Sequence, residues 1–262
     1  MSNAAWQLEE NDPDDPTFYP STDDMGEDTI QRLITELLRP LLERYLAAHG
    51  IQAFVGADQF IYWEKGNPRA TVAPDVYVMP GLPQDLVPRC WKVWRTGVAP
   101  SFALEVMSEE DDGKDLEDSP RRYEALGVKE VIVFDPYVNV ASGRMRFRVH
   151  RRNEQGRLVL VQTTNADRVH SEVLGCFLRA VGQDATLRLR IAVGPAGDEL
   201  FPTEAEEERA KAREERKAFK AEQEAREAER KARQAERKAR EAAEAEIAKL
   251  RAEIEQLRAR SR

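Results

Sequence analysis

Two short stretches decide how this chain folds: TVAPDVYVMP at residues 71–80 and SFALEVMS at residues 101–108. Each is an apolar run of strand length, rich in β-branched and aromatic residues, with one carboxylate set into it. Asp75 follows Pro74 and opens Val-Tyr-Val, and Glu105 sits between Leu104 and Val106. A carboxylate among buried neighbours costs several kcal/mol unless it is paired or bound to a cation, so both positions ask for a reason. Asp75 has an ordinary one, because strand entrances are often exposed. Glu105 lies in mid-run, where alternation puts Phe102, Leu104 and Val106 on one face and Ala103, Glu105 and Met107 on the other. The spacing leaves two readings open for it: a solvent-facing position, or a functional group.

Working outward, residues 1–26 are rich in Pro, Asp, Asn and Ser and read as an irregular leader. Glu27 or Asp28 opens a helix, with Ile30, Leu33, Ile34, Leu37, Leu38, Leu41, Leu42 and Tyr45 as its core stripe. Pro40 is expected to kink or split it, and Gly50 to stop it. Gln52–Gly56 and Gln59–Trp63 are candidate strands of a meander. Residues 116–126 read as a helix ended by Gly127, and VIVF at 131–134 as a buried strand. A hairpin turns at 153–156, and two further strands fall between Gly175 and Val193. The order of these elements predicts an α/β domain over 27–200: a mixed β-sheet core flanked by helices rather than a sandwich.

After Pro202 the pattern changes. EAREAER (224–230), KARQAER (231–237) and KAREAAE (238–244) form a seven-residue repeat with an alanine seam, continued by Ile247, Leu250, Ile254 and Leu257. Residues 203–262 are therefore expected to form one long charged helix, either a coiled-coil strand associating through its Ile/Leu end or a solitary helix laced by ion pairs. This tail carries 18 basic and 16 acidic residues, which leaves 22 basic and 32 acidic residues in the body. So acidic a body does not look like a broad phosphate-gripping surface. It suits a site where carboxylates hold a hard divalent cation.

Cys90 and Cys176 stand apart from each other and from the three histidines, as expected of free thiols in a reducing compartment rather than of a zinc site. No apolar run is long enough to span a membrane, and the first residues lack the pattern of a secretory signal, so the expected location is cytoplasmic. Trp91 and Trp94 read as packing residues. Arg144, Arg146, Arg148, Arg151 and Arg152 alternate along a strand, which fits a solvated face or a phosphate-contacting one.

Taken together, YPS (19–21), EKGNPR (64–69), VAPDVYVMPG (72–81), WKVW (91–94), FALEVMS (102–108), DLEDSPRRYEALGVKEVIVFDP (115–136) and HSEVLGCFLR (170–179) give the chain a family likeness. It resembles the bacterial putative restriction endonuclease family, also called Uma-two, within the PD-(D/E)xK nuclease superfamily. The resemblance covers about residues 18–200. It implies a restriction-endonuclease-like core in which Asp75 and Glu105 come from neighbouring strands and hold Mg²⁺ or Mn²⁺. It further implies an acid from the first helix, Glu27 or alternatively Asp28, completing the metal cluster. The implied activity is endonucleolytic hydrolysis of DNA. Cutting both strands of a duplex needs two sites, so a homodimer, assembled through the tail, is expected. The chain departs from the pattern where a lysine is wanted. Met107 stands two residues after Glu105, and Ser119 stands four before Tyr123. Lys114 is the substitute candidate, and Arg121 and Arg122 lie nearby without being able to serve as bases. With the acidic run EEDDGKD at 109–115, this departure also admits a catalytically degenerate binding module that scaffolds partners through its coiled coil.

Overall fold

The computed structural model describes residues 29–108, 115–138 and 144–260 together with Thr17, with backbone alone for residues 115–119 and 255–260. Two compact units meet at Pro202. The first begins with α1, Thr29–Ala48, whose buried side chains Ile34, Leu38, Leu41, Leu42, Tyr45 and Leu46 follow the spacing of the apolar stripe. Pro40 does not split the helix. Residues 36, 39 and 40 all lie on its exposed face, so the backbone group left without its bond faces water rather than core. The expected helix start at Glu27 or Asp28 lies outside the described residues.

Six strands form the main sheet: β1 (Ala53–Gly56), β4 (Val76–Pro80), β6 (Phe102–Val106), β7 (Glu130–Phe134), β8 (Phe147–Arg152) and β9 (Leu158–Thr164), hydrogen-bonded in that order. The pair β6 and β7 is parallel and the other neighbours are antiparallel, so the sheet is mixed. The crossover between the parallel pair contains α3, Asp115–Leu126, which ends at Gly127 with φ +98°, a left-handed conformation that a Cβ would resist.

The expected meander does not form. β1 pairs with β4, whereas β2 (Ile61–Tyr62) joins β3 (Thr71–Val72) and β5 (Trp91–Lys92) in a separate three-stranded sheet. Local turn chemistry cannot distinguish these pairings, because both lie within reach of the same short loop. Between β5 and β6 comes the short helix α2, Val93–Thr96. A four-stranded antiparallel sheet follows the main one: β10 (Arg168–Ser171), β11 (Cys176–Val181), β12 (Arg188–Val193) and β13 (Glu199–Leu200). The sequence pattern identifies β11 and β12 but not β10 and β13, which are short and largely polar.

Two apolar cores sandwich the main sheet. One holds α1, the even-numbered side chains Val76, Val78, Phe102, Leu104, Val106, Ile132 and Phe134, and the inner faces of β10 to β12. The other holds Tyr77, Met79, Ala103, Val131, Trp91, Tyr123 and Leu126 under α3 and the three-stranded sheet. At about 1.5–3 kcal/mol per fully buried large side chain, both faces are committed, so a one-residue slip of either central strand would exchange the two cores. Trp91 is wholly buried and its Nε1 donates to the Tyr77 hydroxyl at 2.5 Å, a packing role as the sequence implied. The second unit is the helix α4, Glu204–Arg260, capped at its start by Thr203, whose Oγ1 accepts from the Glu206 amide at 3.2 Å. Among the described residues no helix is long and apolar enough to cross a membrane.

Candidate active site

Strand register brings the two singled-out carboxylates together. In the antiparallel pair of β4 and β6, Tyr77 faces Ala103 and Val76 faces Leu104. One step further along the same register sets Asp75 opposite Glu105. Directly opposed residues point to the same side of a sheet, so the two acids share the face of Tyr77 and Ala103, the α3 side. Their carboxyl groups lie within hydrogen-bonding reach of one another.

Asp75 is buried, with 4% of its surface exposed. Its Oδ2 accepts the Val106 backbone N–H at 2.5 Å, and its Oδ1 accepts from the Gln31 side-chain amide at 2.5 Å. The first bond ties Asp75 to β6 where the regular ladder has stopped. The second comes from the first turns of α1. Pro74, just before it, offers its carbonyl to the Asp58 backbone N–H at 3.0 Å, and Asp58 holds φ at +52°, a left-handed conformation uncommon outside glycine. The entrance of β4 is thus pinned from three sides.

Glu105 is half-buried and receives the Tyr123 hydroxyl from α3. Burial pushes its carboxyl well above the ordinary carboxylate range, and the negative charge of Asp75 pushes it further. The Tyr123 hydroxyl works against that rise by bonding the ionised form, while Asp58 adds to it from a distance. The Tyr123 phenol is raised in its turn, by burial first and by Glu105 second.

Other buried acids are satisfied differently. Glu130 takes Arg151 at 2.8 Å along with the Ser171 hydroxyl, and Asp135 takes Arg144 at 2.6 Å and the Tyr137 amide at 2.9 Å. They are structural charges with basic partners. In the Asp75–Glu105 pair one carboxylate faces another, an arrangement that a shared proton or a cation relieves.

A divalent metal suits this donor set. Each carboxylate has about four lone-pair sites, and carboxylate oxygens are the donors a hard divalent cation takes. Among the described residues no three His, Cys, Asp or Glu side chains cluster closely enough to hold a metal by themselves. Mg²⁺, which keeps several waters and takes one or two carboxylates, does not need three. Glu27 and Lys114, expected at the site, lie outside the described residues. Ser119, at the position expected to carry a lysine, is one helical turn before Tyr123 on α3.

Three contributors were not singled out from sequence. Gln31 lies three and seven residues before Ile34 and Leu38, so it is a polar residue at a core-facing phase of α1, and that misfit was legible. The bond from Tyr123 to Glu105 and the backbone clamp by Asp58 depend on tertiary pairing and carry no local signal.

Comparison with known proteins places this site in context. Among curated proteins no relative matches the chain. Among solved structures, a putative nuclease of the DUF820 group from Anabaena variabilis ATCC 29413 is similar at 12% identity and a TM-score of 0.41, covering 58% of this chain and 76% of that one. A family profile described as putative restriction endonuclease, Uma2, matches residues 21–180. That span takes in α1, the whole six-stranded sheet, Asp75, Glu105 and Tyr123, and the chain belongs to the Uma2 putative restriction endonuclease family.

Proposed function

We propose that this protein is a divalent-metal-dependent endonuclease that hydrolyses phosphodiester bonds in DNA, with Asp75 and Glu105 holding Mg²⁺ or Mn²⁺. The observation that carries this reading is the pairing of two carboxylates from adjacent strands, side by side on one face of the sheet, within a chain of a nuclease family. When bound there, the metal supplies neutralisation of phosphate charge and a lowered pKa for the attacking water. The chain's own residues prepare the place. Gln31 and the Val106 amide fix the two oxygens of Asp75, and Tyr123 fixes Glu105 while favouring its ionised form. Glu27 is proposed as a third acid from the segment before α1, and Lys114 as a cation from the segment before α3. Cleavage of both strands of a duplex calls for two sites, which a two-fold dimer paired through α4 would provide.

The test is nicking and linearisation of supercoiled DNA in Mg²⁺ or Mn²⁺, with Asp75→Asn and Glu105→Gln beside the wild type. Metal catalysis is worth several kcal/mol, so each substitution is expected to slow cleavage by about 100-fold or more. Equal cleavage by all three proteins, or none by the wild type, removes the reading. A second reading rests on Met107 and Ser119 at the two lysine positions: a non-catalytic nuclease-fold module that scaffolds partners through α4. It predicts that the wild type gains no heat stability from Mg²⁺.

A further inference from the structure

The five arginines of the β8 region divide into two groups once their partners are known. Arg144 pairs with Asp135 and bonds the Ser108 carbonyl at 3.0 Å. Arg151 joins Glu130 to Glu172. Arg152 caps the end of α3, donating to the carbonyls of Glu124 at 2.6 Å and Val128 at 2.9 Å. These three hold the fold together. Arg146 and Arg148 do not.

Among the described residues Arg148 makes one side-chain hydrogen bond, from Nη1 to the Met107 sulfur at 3.7 Å. A thioether is a weak acceptor and carries no charge to balance a guanidinium. Arg146 has a buried Nε with no hydrogen-bond partner among the described residues. A half-buried guanidinium without its bonds is costly, and such a group is commonly kept because a ligand completes it. Both side chains are half-buried, and neither has an acidic partner among the described residues.

Their placement gives the ligand. Glu105 is level with Val133 across the parallel pair, and Val133 is level with Arg148 across the next pair. All three therefore point to the α3 side of the sheet, in one row, with Arg148 two strands from Glu105. At about 4.8 Å per strand, the two Cα atoms are roughly 10 Å apart. The guanidinium reaches back across β7 to Met107, two residues beyond Glu105 on the same face of its strand. Positive charge thus arrives at the position where the sequence carries Met107 instead of the wanted lysine. It does so without joining the carboxylate pair, whose surroundings are set by Asp75, Tyr123 and Asp58.

We infer that Arg148 on β8, with Arg146 just before that strand, forms a binding site for a phosphodiester group of the nucleic-acid strand next to the carboxylate pair. The inference rests on the nuclease reading for the identity of the substrate. A guanidinium matches a phosphate through two parallel N–H donors, and it cannot act as a base. The role assigned is therefore to hold and neutralise the phosphate, a contact that positions the strand without reading its sequence.

The experiment measures binding of a short fluorescent DNA duplex by anisotropy with the full-length protein in Ca²⁺, across a salt series. Wild type, Arg148→Gln, Arg148→Lys and Arg146→Gln are compared, on two duplexes of unrelated sequence. Arg148→Gln is expected to weaken binding about tenfold or more on both duplexes, and to lower the slope of log K against log salt by about one. Arg148→Lys keeps the charge and should keep the slope, with weaker binding through loss of the two-pronged contact. Arg146→Gln should also lower the slope. Should Arg148→Gln fail to fold by circular dichroism, the lysine variant and Arg146→Gln carry the test. Unchanged affinity and slope in Arg148→Gln, or in Arg146→Gln where that variant decides, overturns the inference, as does a wild type that binds neither duplex. Binding with the expected slope changes but no cleavage in Mg²⁺ leaves the phosphate site standing and removes the nuclease reading alone.

Discussion

Glu105 shows how one side chain can be costly to the fold and useful to the site. Its carboxyl is raised above the ordinary value of 4.5, chiefly by burial and next by Asp75. A folded protein that holds a proton its unfolded chain would release loses stability as pH rises. The contribution is complete below the unfolded value of 4.5 and disappears as pH climbs through the raised folded value. In metal-free protein, Glu105→Gln should therefore gain melting temperature over the wild type as pH increases, read as the difference between two thermal scans at each pH. Convergence of the two proteins at high pH would contradict this. Mg²⁺ should have the opposite selectivity, raising the wild-type melting temperature but not that of the variant. At one hundred times the dissociation constant such binding is worth about 2.7 kcal/mol.

At the scale of elements, the site exists because α1, β4, β6 and α3 each contribute one fixed point. The helix α3 gives Tyr123, whose ring is buried in the core under the sheet and whose hydroxyl reaches Glu105. That bond favours the charged form of Glu105. Tyr123→Phe deletes it while keeping the ring, so the acid limb of the pH–cleavage profile should move to higher pH, with cleavage at the plateau less affected. A profile that keeps its acid limb would show that Tyr123 packs without tuning Glu105. The helix α1 reaches Asp75 through Gln31, and its apolar stripe sets the rotation that makes this possible. β8 works differently: its inward residues Phe147 and Val149 fill the core under α1, while the alternate positions Arg148, His150 and Arg152 line the α3 side. His150 is affected by this row, since burial and then the charge of Arg148 hold its imidazole below its ordinary value.

At the scale of the whole molecule, the two units differ in what keeps them folded. The first is a packed domain with two cores. The second, α4, has every described side chain but that of Glu207 exposed and is supported by ion pairs three and four residues apart, such as Arg226–Glu222 at 2.6 Å and Arg233–Glu229 at 2.7 Å. Each exposed pair contributes about 0.3–0.5 kcal/mol, enough to favour helix but not to give a 57-residue helix a core. Ile247, Leu250 and Ile254 are each about half exposed in the single chain. Their three-and-four spacing is the seam along which a second copy would pack. Sedimentation equilibrium is expected to give a dimer for the full chain and a monomer for a chain ending at Pro202, or for Leu250→Asp combined with Ile254→Asp. An unchanged mass in both would assign α4 to some other use.

Much of this was legible in the residues alone. Alternation and apolar runs gave β4, β6 and β7, the heptad gave α4, and Asp75 and Glu105 stood out because a charge inside an apolar strand has to be accounted for. Those are properties of a few consecutive residues, and local chemistry expresses them. Which strands pair is not such a property. β1 and β2 have similar patterns, yet one joins the main sheet and the other a small sheet with β3 and β5. The opposition of Asp75 to Glu105, the reach of Tyr123 and Gln31 into that space, and the division of the arginines in and beside β8 between those held by acids and carbonyls and those with no acidic partner among the described residues all follow from pairing across strands far apart in sequence. Burial, hydrogen bonding and charge at those points are sums over neighbours that only the closed chain brings within a few ångströms, so tertiary structure alone decides them.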